Sequence, residues 1–271
     1  EILNGGLAAG EIGIITAPTG VGKSHFLVHV GASALKVGKN VLHYTFELSE
    51  TAVGIRYDSN LCDIPSGDVY DRKEEILEMY KKDGFGRLII KEYPTGSASV
   101  ITIRNHIEKL AMKDFIPSVI VIDYADIMRS TRSYDSVRHE LKLIYEELRN
   151  LAMEMKIPVW TASQANREAS DKEVVGLDNM AEAYGKAMIA DVVVSLSRKQ
   201  LEKSTGSGRL FVAKNRAGKD GVLFPVRIDC AKSIISVIDD PGQLSTLDMV
   251  ESNHRGTKDM LKSKWKEITG K

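Results

Sequence analysis

The sequence predicts an α/β fold: a mostly parallel sheet flanked by helices, with antiparallel hairpin strands at its C-terminal edge. Three observations predict it. Short apolar runs alternate with longer amphipathic runs from Glu11 to Ser197, the pattern of strand–helix–strand units. The first two runs are joined by a glycine-rich loop, Ala17-Pro18-Thr19-Gly20-Val21-Gly22-Lys23-Ser24. Beyond Ser197 the runs are separated by turn signals instead of long helical patterns, which reads as hairpins.

Taken in order, Glu11 to Thr16 (EIGIIT) is an apolar strand and Lys23 to Lys36 an amphipathic helix, stopped by Gly38. Val41 to Thr45 (VLHYT) is the second strand. It ends at Phe46-Glu47-Leu48, and Ser49 caps the next helical run, SETAVGIRYDSNL. Residues 66–82 read as an amphipathic helix with Val69, Ile76, Leu77 and Tyr80 on its apolar side. Arg87 to Tyr93 is a strand stopped by Pro94. Ser99 to Lys113 is helical, with Ile103, Ile107 and Leu110 on one face. Val119 to Asp123 (VIVID) is the most apolar strand and closes on a carboxylate. Asp135 to Lys156 is a long helix whose stripe of Leu141, Ile144, Leu148, Leu151, Ala152 and Met155 reads as core. Pro158 to Ser163 is the next strand, ending at Gln164. The polar stretch Ala165 to Asn179 is long for a strand-to-helix loop, which suggests function. A short helix follows near Asn179 to Met188. Val192 to Ser197, Arg209 to Lys214, Leu223 to Asp229 and Ile234 to Ile238 complete the strands, with turns at Ser204–Gly208 and Gly218–Gly221. The domain predicted spans 1–240. Residues 241–271 read as a polar, basic tail in which Thr257 to Ile268 has helical spacing.

Composition excludes several classes. Of 271 residues, 43% are hydrophobic and 27% charged, as in a globular protein large enough to bury a full core. The two cysteines, Cys62 and Cys230, lie outside any CxxC pattern. They specify neither a disulfide framework nor a zinc site and read as reduced thiols of a cytosolic protein. No apolar run reaches membrane-spanning length. Lys plus Arg equals Asp plus Glu at 37 each, so any nucleic-acid contact must come from local basic loops. The chain begins at Glu1 without Met, which reads as entry into a domain of a longer protein.

The glycine-rich loop between a strand and a helix is the context of a phosphate-binding loop. Gly20 and Gly22 let backbone N–H groups turn inward, and the helix N-terminus adds partial positive charge. Lys23 would reach the β- and γ-phosphates, and the Ser24 hydroxyl would ligate Mg²⁺. The first motif position is Ala17, not Gly. Asp123, at the end of its apolar strand, reads as a Mg²⁺-holding carboxylate, with a helix N-cap as the alternative. Glu47 and Gln164 end strands at the edge where open α/β sheets bind ligands. Each also reads, taken alone, as a plain turn residue.

The order of these motifs resembles the RecA-like motor domain of the hexameric replicative helicases, the DnaB-type family, above all its T-even-like bacteriophage branch. The residues that carry the resemblance are the phosphate loop, Phe46-Glu47-Leu48-Ser49, Val121-Ile122-Asp123-Tyr124, Trp160-Thr161-Ala162-Ser163-Gln164 and Ala213-Lys214-Asn215-Arg216. It covers about residues 1–240 and implies a RecA-like P-loop NTPase core that binds ATP and Mg²⁺ and hydrolyses ATP while moving 5′-to-3′ on single-stranded DNA. It implies that Lys23 and Ser24 hold phosphate and Mg²⁺, that Glu47 activates the attacking water, that Asp123 is the Walker B carboxylate, and that Gln164 senses the γ-phosphate. It implies that Lys214 and Arg216 reach into a neighbouring subunit's ATP site in a hexameric ring; taken alone they read as hairpin surface charges. A primase and a loader are implied for the full-length protein, and no membrane contact. The family carries a DNA-contacting Arg where this chain has Ala181.

DNA contacts are expected from three basic stretches: Arg129 and Arg132, Arg167 and Lys172, and Arg198, Lys199 and Lys203. Such loops grip a single strand's phosphates with little base reading. Two other functions share the core motifs: a RecA- or RadA-like recombinase, and a KaiC-like signalling ATPase that DNA would not stimulate.

Overall fold

The computed structural model describes residues 3, 5–166, 169, 172, 174–177 and 183–238. Its nine strands are β1 (Ile12–Ala17), β2 (Val41–Thr45), β3 (Leu88–Glu92), β4 (Val119–Asp123), β5 (Val159–Gln164), β6 (Val192–Ser197), β7 (Ser207–Asn215), β8 (Val222–Asp229) and β9 (Ile234–Val237). They form one sheet in the order β3-β2-β4-β5-β1-β6-β7-β8-β9. The pairings from β3 across to β6 are parallel. Those from β6 to β9 are antiparallel. The predicted fold class is therefore the observed one.

The helices are α1 (Lys23–Lys36), α2 (Glu50–Cys62), α3 (Lys73–Asp83), α4 (Val100–Ala111), α5 (Val137–Met155), α6 (Ala183–Ile189) and α7 (Gln200–Thr205), with a 3₁₀ turn at Ala125–Ile127. Strand residues alternate between two cores, as a period of two requires. Ile12 and Ile14 of β1 join Ile103, Ile107, Leu141, Leu148 and Leu151 on the face covered by α4 and α5. Ile15 and Ala17 join Leu27, Leu35, Val53 and Trp160 on the face covered by α1 and α2. β1, β2, β4 and β6 are buried throughout, which is why their sequences are mostly apolar.

Two expectations are corrected. Residues 66–72 are turns, and the helix begins only at Lys73. Ile76 and Val69 are buried but Leu77 is 48% exposed, because one position after Ile76 it points about 100° round the helix. The run before β7 contains α7, a helix not foreseen. The Lys199 N–H donates to Glu202 Oε2 (2.6 Å) at its start, and Gly206 ends it in the left-handed region at φ 73. Six residues are too few to show a helical period. The tail 241–271, Arg167, and Ala181 with the start of the helix expected near Asn179 lie outside the described residues.

Candidate active site at the carboxyl edge of the sheet

The parallel strands end together along one edge. β1 delivers the glycine-rich loop there, and its register sets Ala17 beside Gln164 of β5. Gly20 (φ 72) and Gly22 (φ 124) occupy backbone conformations that a side chain would strain. Gly22 is also the N-cap of α1, so the first free N–H groups of that helix open onto the loop. The Lys23 ammonium lies folded over the loop, donating to the carbonyls of Ala17 (3.1 Å) and Pro18 (3.3 Å). Burial lowers its pKa, while the charges of Asp123, Glu47 and Asp126 oppose the shift. A lysine held by neutral carbonyls among carboxylates is poised to exchange them for an anion.

Asp123 closes β4 and is 1% exposed. The Ser24 hydroxyl favours its charged form. Its Oδ2 is buried without a hydrogen-bond partner. Burial pushes the carboxyl up to about 6; the nearby Glu47 adds to the rise, while the Ser24 bond, Arg56 and Lys23 counter it. An orphaned, destabilised carboxylate beside a hydroxyl at a phosphate loop is what a hard divalent cation would satisfy. Among the described residues no group of three His, Cys, Asp or Glu side chains could hold a metal ion. Mg²⁺ takes few protein ligands and completes its shell with water and phosphate oxygens.

Glu47 follows β2 and is exposed. The turn that carries it is fixed. The Phe46 N–H donates to the Asp123 carbonyl (2.8 Å), the Leu48 N–H donates to Thr45 Oγ1 (3.1 Å), and Thr45 Oγ1 donates to the Leu48 carbonyl (2.8 Å). Ser49 caps α2 by accepting from the Ala52 N–H at 3.1 Å. Gln164 reaches across from β5, and its Nε2 donates to Thr19 Oγ1 of the loop at 2.7 Å. Lys23, Ser24, Glu47, Asp123 and Gln164 thus share one edge.

Lys214 and Arg216 do not. β7 pairs with β6 so that Lys214 lies opposite Val193, at the amino-terminal end of β6. β6 runs parallel to β1, so these cations sit at the far end of the sheet from their own loop. The Lys214 ammonium donates to the carbonyls of Ala187 (2.8 Å), Met188 (3.2 Å) and Ala190 (2.6 Å) at the end of α6. Arg216 pairs with Asp191 at 2.8 Å and remains 50% exposed.

Of the basic residues expected to face DNA, Arg129 and Arg132 are exposed just past β4 and the 3₁₀ turn, Lys172 past β5, and Lys199 and Lys203 past β6. All follow strands that end at the carboxyl edge. Arg198 is a correction. It is 7% exposed, and its guanidinium donates to the carbonyls of Ser207 (3.1 Å), Glu202 (3.4 Å) and Lys203 (3.2 Å). It is a clamp on the α7 turn, and a free strand has no access to it.

Two features escaped the sequence. Arg56 of α2 has a buried Nη1 without a hydrogen-bond partner, and its charge acts on Asp123. Its place two turns into the helix that follows Glu47 was the available signal. Asp126, Tyr145, Ser163 and Lys186 form a buried polar cluster behind Gln164. Only the Asp at the second position after Tyr124 hinted at it.

Comparison with known proteins gives the family and the fold. The chain matches the DnaB-like helicase C terminal domain family over residues 1–228. It is 34% identical over 211 residues to the DnaB-like replicative helicase of Enterobacteria phage T4, covering 72% of this chain and 44% of that protein. It is 27% identical over 229 residues to the replicative DNA helicase DnaB of Leifsonia xyli, covering 80% and 50%. The chain spans about half the length of the curated relatives it matches. Its fold is similar to a solved DnaB-like replicative helicase described with its interactions with primase (TM-score 0.73, 16% identity, 85% of this chain and 58% of that one). It also superposes on a solved ATPase domain with TM-score 0.74 at 16% identity, covering 86% and 87%. By sequence family and by fold, the chain belongs to the DnaB-like helicase C-terminal domain family.

Proposed function

We propose that this chain is the motor domain of a replicative DNA helicase, which binds ATP with Mg²⁺ and couples its hydrolysis to movement on single-stranded DNA and duplex unwinding. The observation that carries the reading is the convergence on one sheet edge of the loop with Lys23 and Ser24, the orphaned Asp123, Glu47 and Gln164. Lys23 exchanges the Ala17 and Pro18 carbonyls for phosphate oxygens. Ser24 and Asp123 would hold Mg²⁺, which when bound would neutralise phosphate charge. Glu47 accepts the proton of the attacking water, and its fixed turn keeps it near the loop. Gln164, resting on Thr19, registers whether the γ-phosphate is present.

Lys214 and Arg216 lie too far along β6 to complete their own subunit's site, which supports their supply to a neighbour in a ring of copies. An arginine finger is worth roughly 10³–10⁵ in rate. Arg129, Arg132, Arg167, Lys172, Lys199 and Lys203 contact the strand's phosphates. Primase and a loader are partners of the full-length protein. Among the described residues no helix is long and apolar enough to cross a membrane.

The test is steady-state ATP hydrolysis with and without single-stranded DNA. Stimulation by DNA supports the helicase reading. Turnover that ignores DNA supports the signalling-ATPase reading instead. A filament detected on DNA without strand displacement supports a recombinase.

A further inference from the structure

We infer that Lys186 and Asp126 form a buried latch that ties the position of Gln164 to the two stretches expected to grip DNA, so that they are positioning residues for DNA-stimulated hydrolysis. The inference rests on the helicase reading and adds to it the element that transmits strand binding to the ATP site.

Lys186 is 1% exposed, an unusual place for a lysine. Its ammonium pairs with Asp126 Oδ1 at 2.8 Å, donates to Ser163 Oγ at 3.2 Å and stands 5.4 Å from the centre of the Tyr145 ring. Asp126 accepts further bonds from the Tyr145 hydroxyl (2.7 Å) and Ser163 Oγ (3.0 Å). Ser163 therefore accepts from the lysine and donates to the aspartate.

Three of the cluster's four members come from different places in the chain. Asp126 lies three positions before Arg129, at the root of the first basic stretch. Lys186 lies on α6, the helix that follows the second, which holds Arg167 and Lys172. Ser163 immediately precedes Gln164, whose amide touches the phosphate loop at Thr19. A buried charged pair has few alternative partners, so its geometry is close to all-or-none. A strand that shifts either basic stretch must carry the pair with it or break it. Either outcome moves Ser163 and changes the contact of Gln164 with the loop. An ordinary scaffold lysine would not join the segments that bear the sensor and both grips.

The test compares DNA-free and DNA-stimulated ATP turnover of the chain with those of two variants. Lys186→Met alone leaves a buried carboxylate without its countercharge and is expected to weaken the fold. The double variant Lys186→Met/Asp126→Asn removes both charges and is the informative one. Its fold is checked by thermal unfolding. The expected result is retained DNA-free turnover with the stimulation factor reduced by about fivefold or more, the lower range of ordinary coupling between sites. A folded double variant that keeps full stimulation overturns the latch. Gln164→Ala, measured in parallel, separates the layers. If it loses stimulation while the double variant keeps it, the latch alone fails. If Gln164→Ala keeps stimulation, the sensor role fails and the latch falls with it. If the unaltered chain is not stimulated by DNA, the helicase reading itself is overturned.

Discussion

Replacing Asp123 by Asn should make the nucleotide-free protein more stable while removing its Mg²⁺-dependent grip on nucleotide. Asp123 is 1% exposed and one of its oxygens has no hydrogen-bond partner. Burial raises the carboxyl from the ordinary 3.8 to about 6. Between those values the folded state binds more protons than the unfolded one, so stability falls as pH rises through that window and levels off above about pH 6. Each pKa unit corresponds to about 1.36 kcal/mol, so the ionised carboxylate costs the fold about 3 kcal/mol at pH 7.5. Asn keeps an acceptor for Ser24 and removes the charge, but its amide enters the site facing Lys23. The net gain is therefore set at about 1–3 kcal/mol. The assay is urea unfolding of both proteins in chelator from pH 4 to pH 8. The predicted gain is present at pH 7.5 and shrinks toward zero near pH 4. A loss of stability at pH 7.5, or a difference that does not change with pH, would contradict a buried-charge penalty at Asp123. In the same preparations the variant should bind nucleotide no more tightly with Mg²⁺ than without it.

Other expectations are more compact. Glu47→Gln should bind ATP as before and lose about 10²–10⁴ in turnover, the usual worth of a positioned base; loss of only a few-fold in a single-turnover assay would contradict the base role. Arg216→Ala subunits mixed into unaltered protein should depress hydrolysis more than dilution does, because each poisons a neighbour's site; a proportional loss would exclude supply in trans. Gly31→Ala should destabilise the fold, because a Cβ there would lie 2.1 Å from the Tyr57 hydroxyl, which bonds His43 at 2.9 Å. The cost expected from chemical denaturation is about 1–3 kcal/mol after any helix-propensity gain, and an unchanged midpoint would contradict the packing.

The strands were legible because central parallel strands are buried on both faces and must be written as apolar runs. Long helices were legible because their stripes repeat over several turns, as in α5. What failed was short or turn-bound. α7 has too few residues to show a period, and residues 66–72 mimic a helical pattern while turning. At the site, the phosphate loop, Glu47, Asp123 and Gln164 were readable from their places at strand ends. Arg198 was misplaced because a charge in a sequence does not say whether carbonyls already surround it. The Asp126–Lys186 pair was invisible because its members are far apart in the chain and meet only through the sheet. Lys214 and Arg216 were carried by resemblance alone, and the β6–β7 register is what sets them at the far end from their own loop.

The proposed function stands on ATP hydrolysis in sites shared between copies and driven by a single strand. Steady-state hydrolysis as a function of chain concentration, with and without single-stranded DNA, tests it. Stimulation by DNA is expected, with a rate that rises more steeply than linearly with concentration as neighbours supply Lys214 and Arg216. A rate strictly proportional to concentration and indifferent to DNA would contradict it.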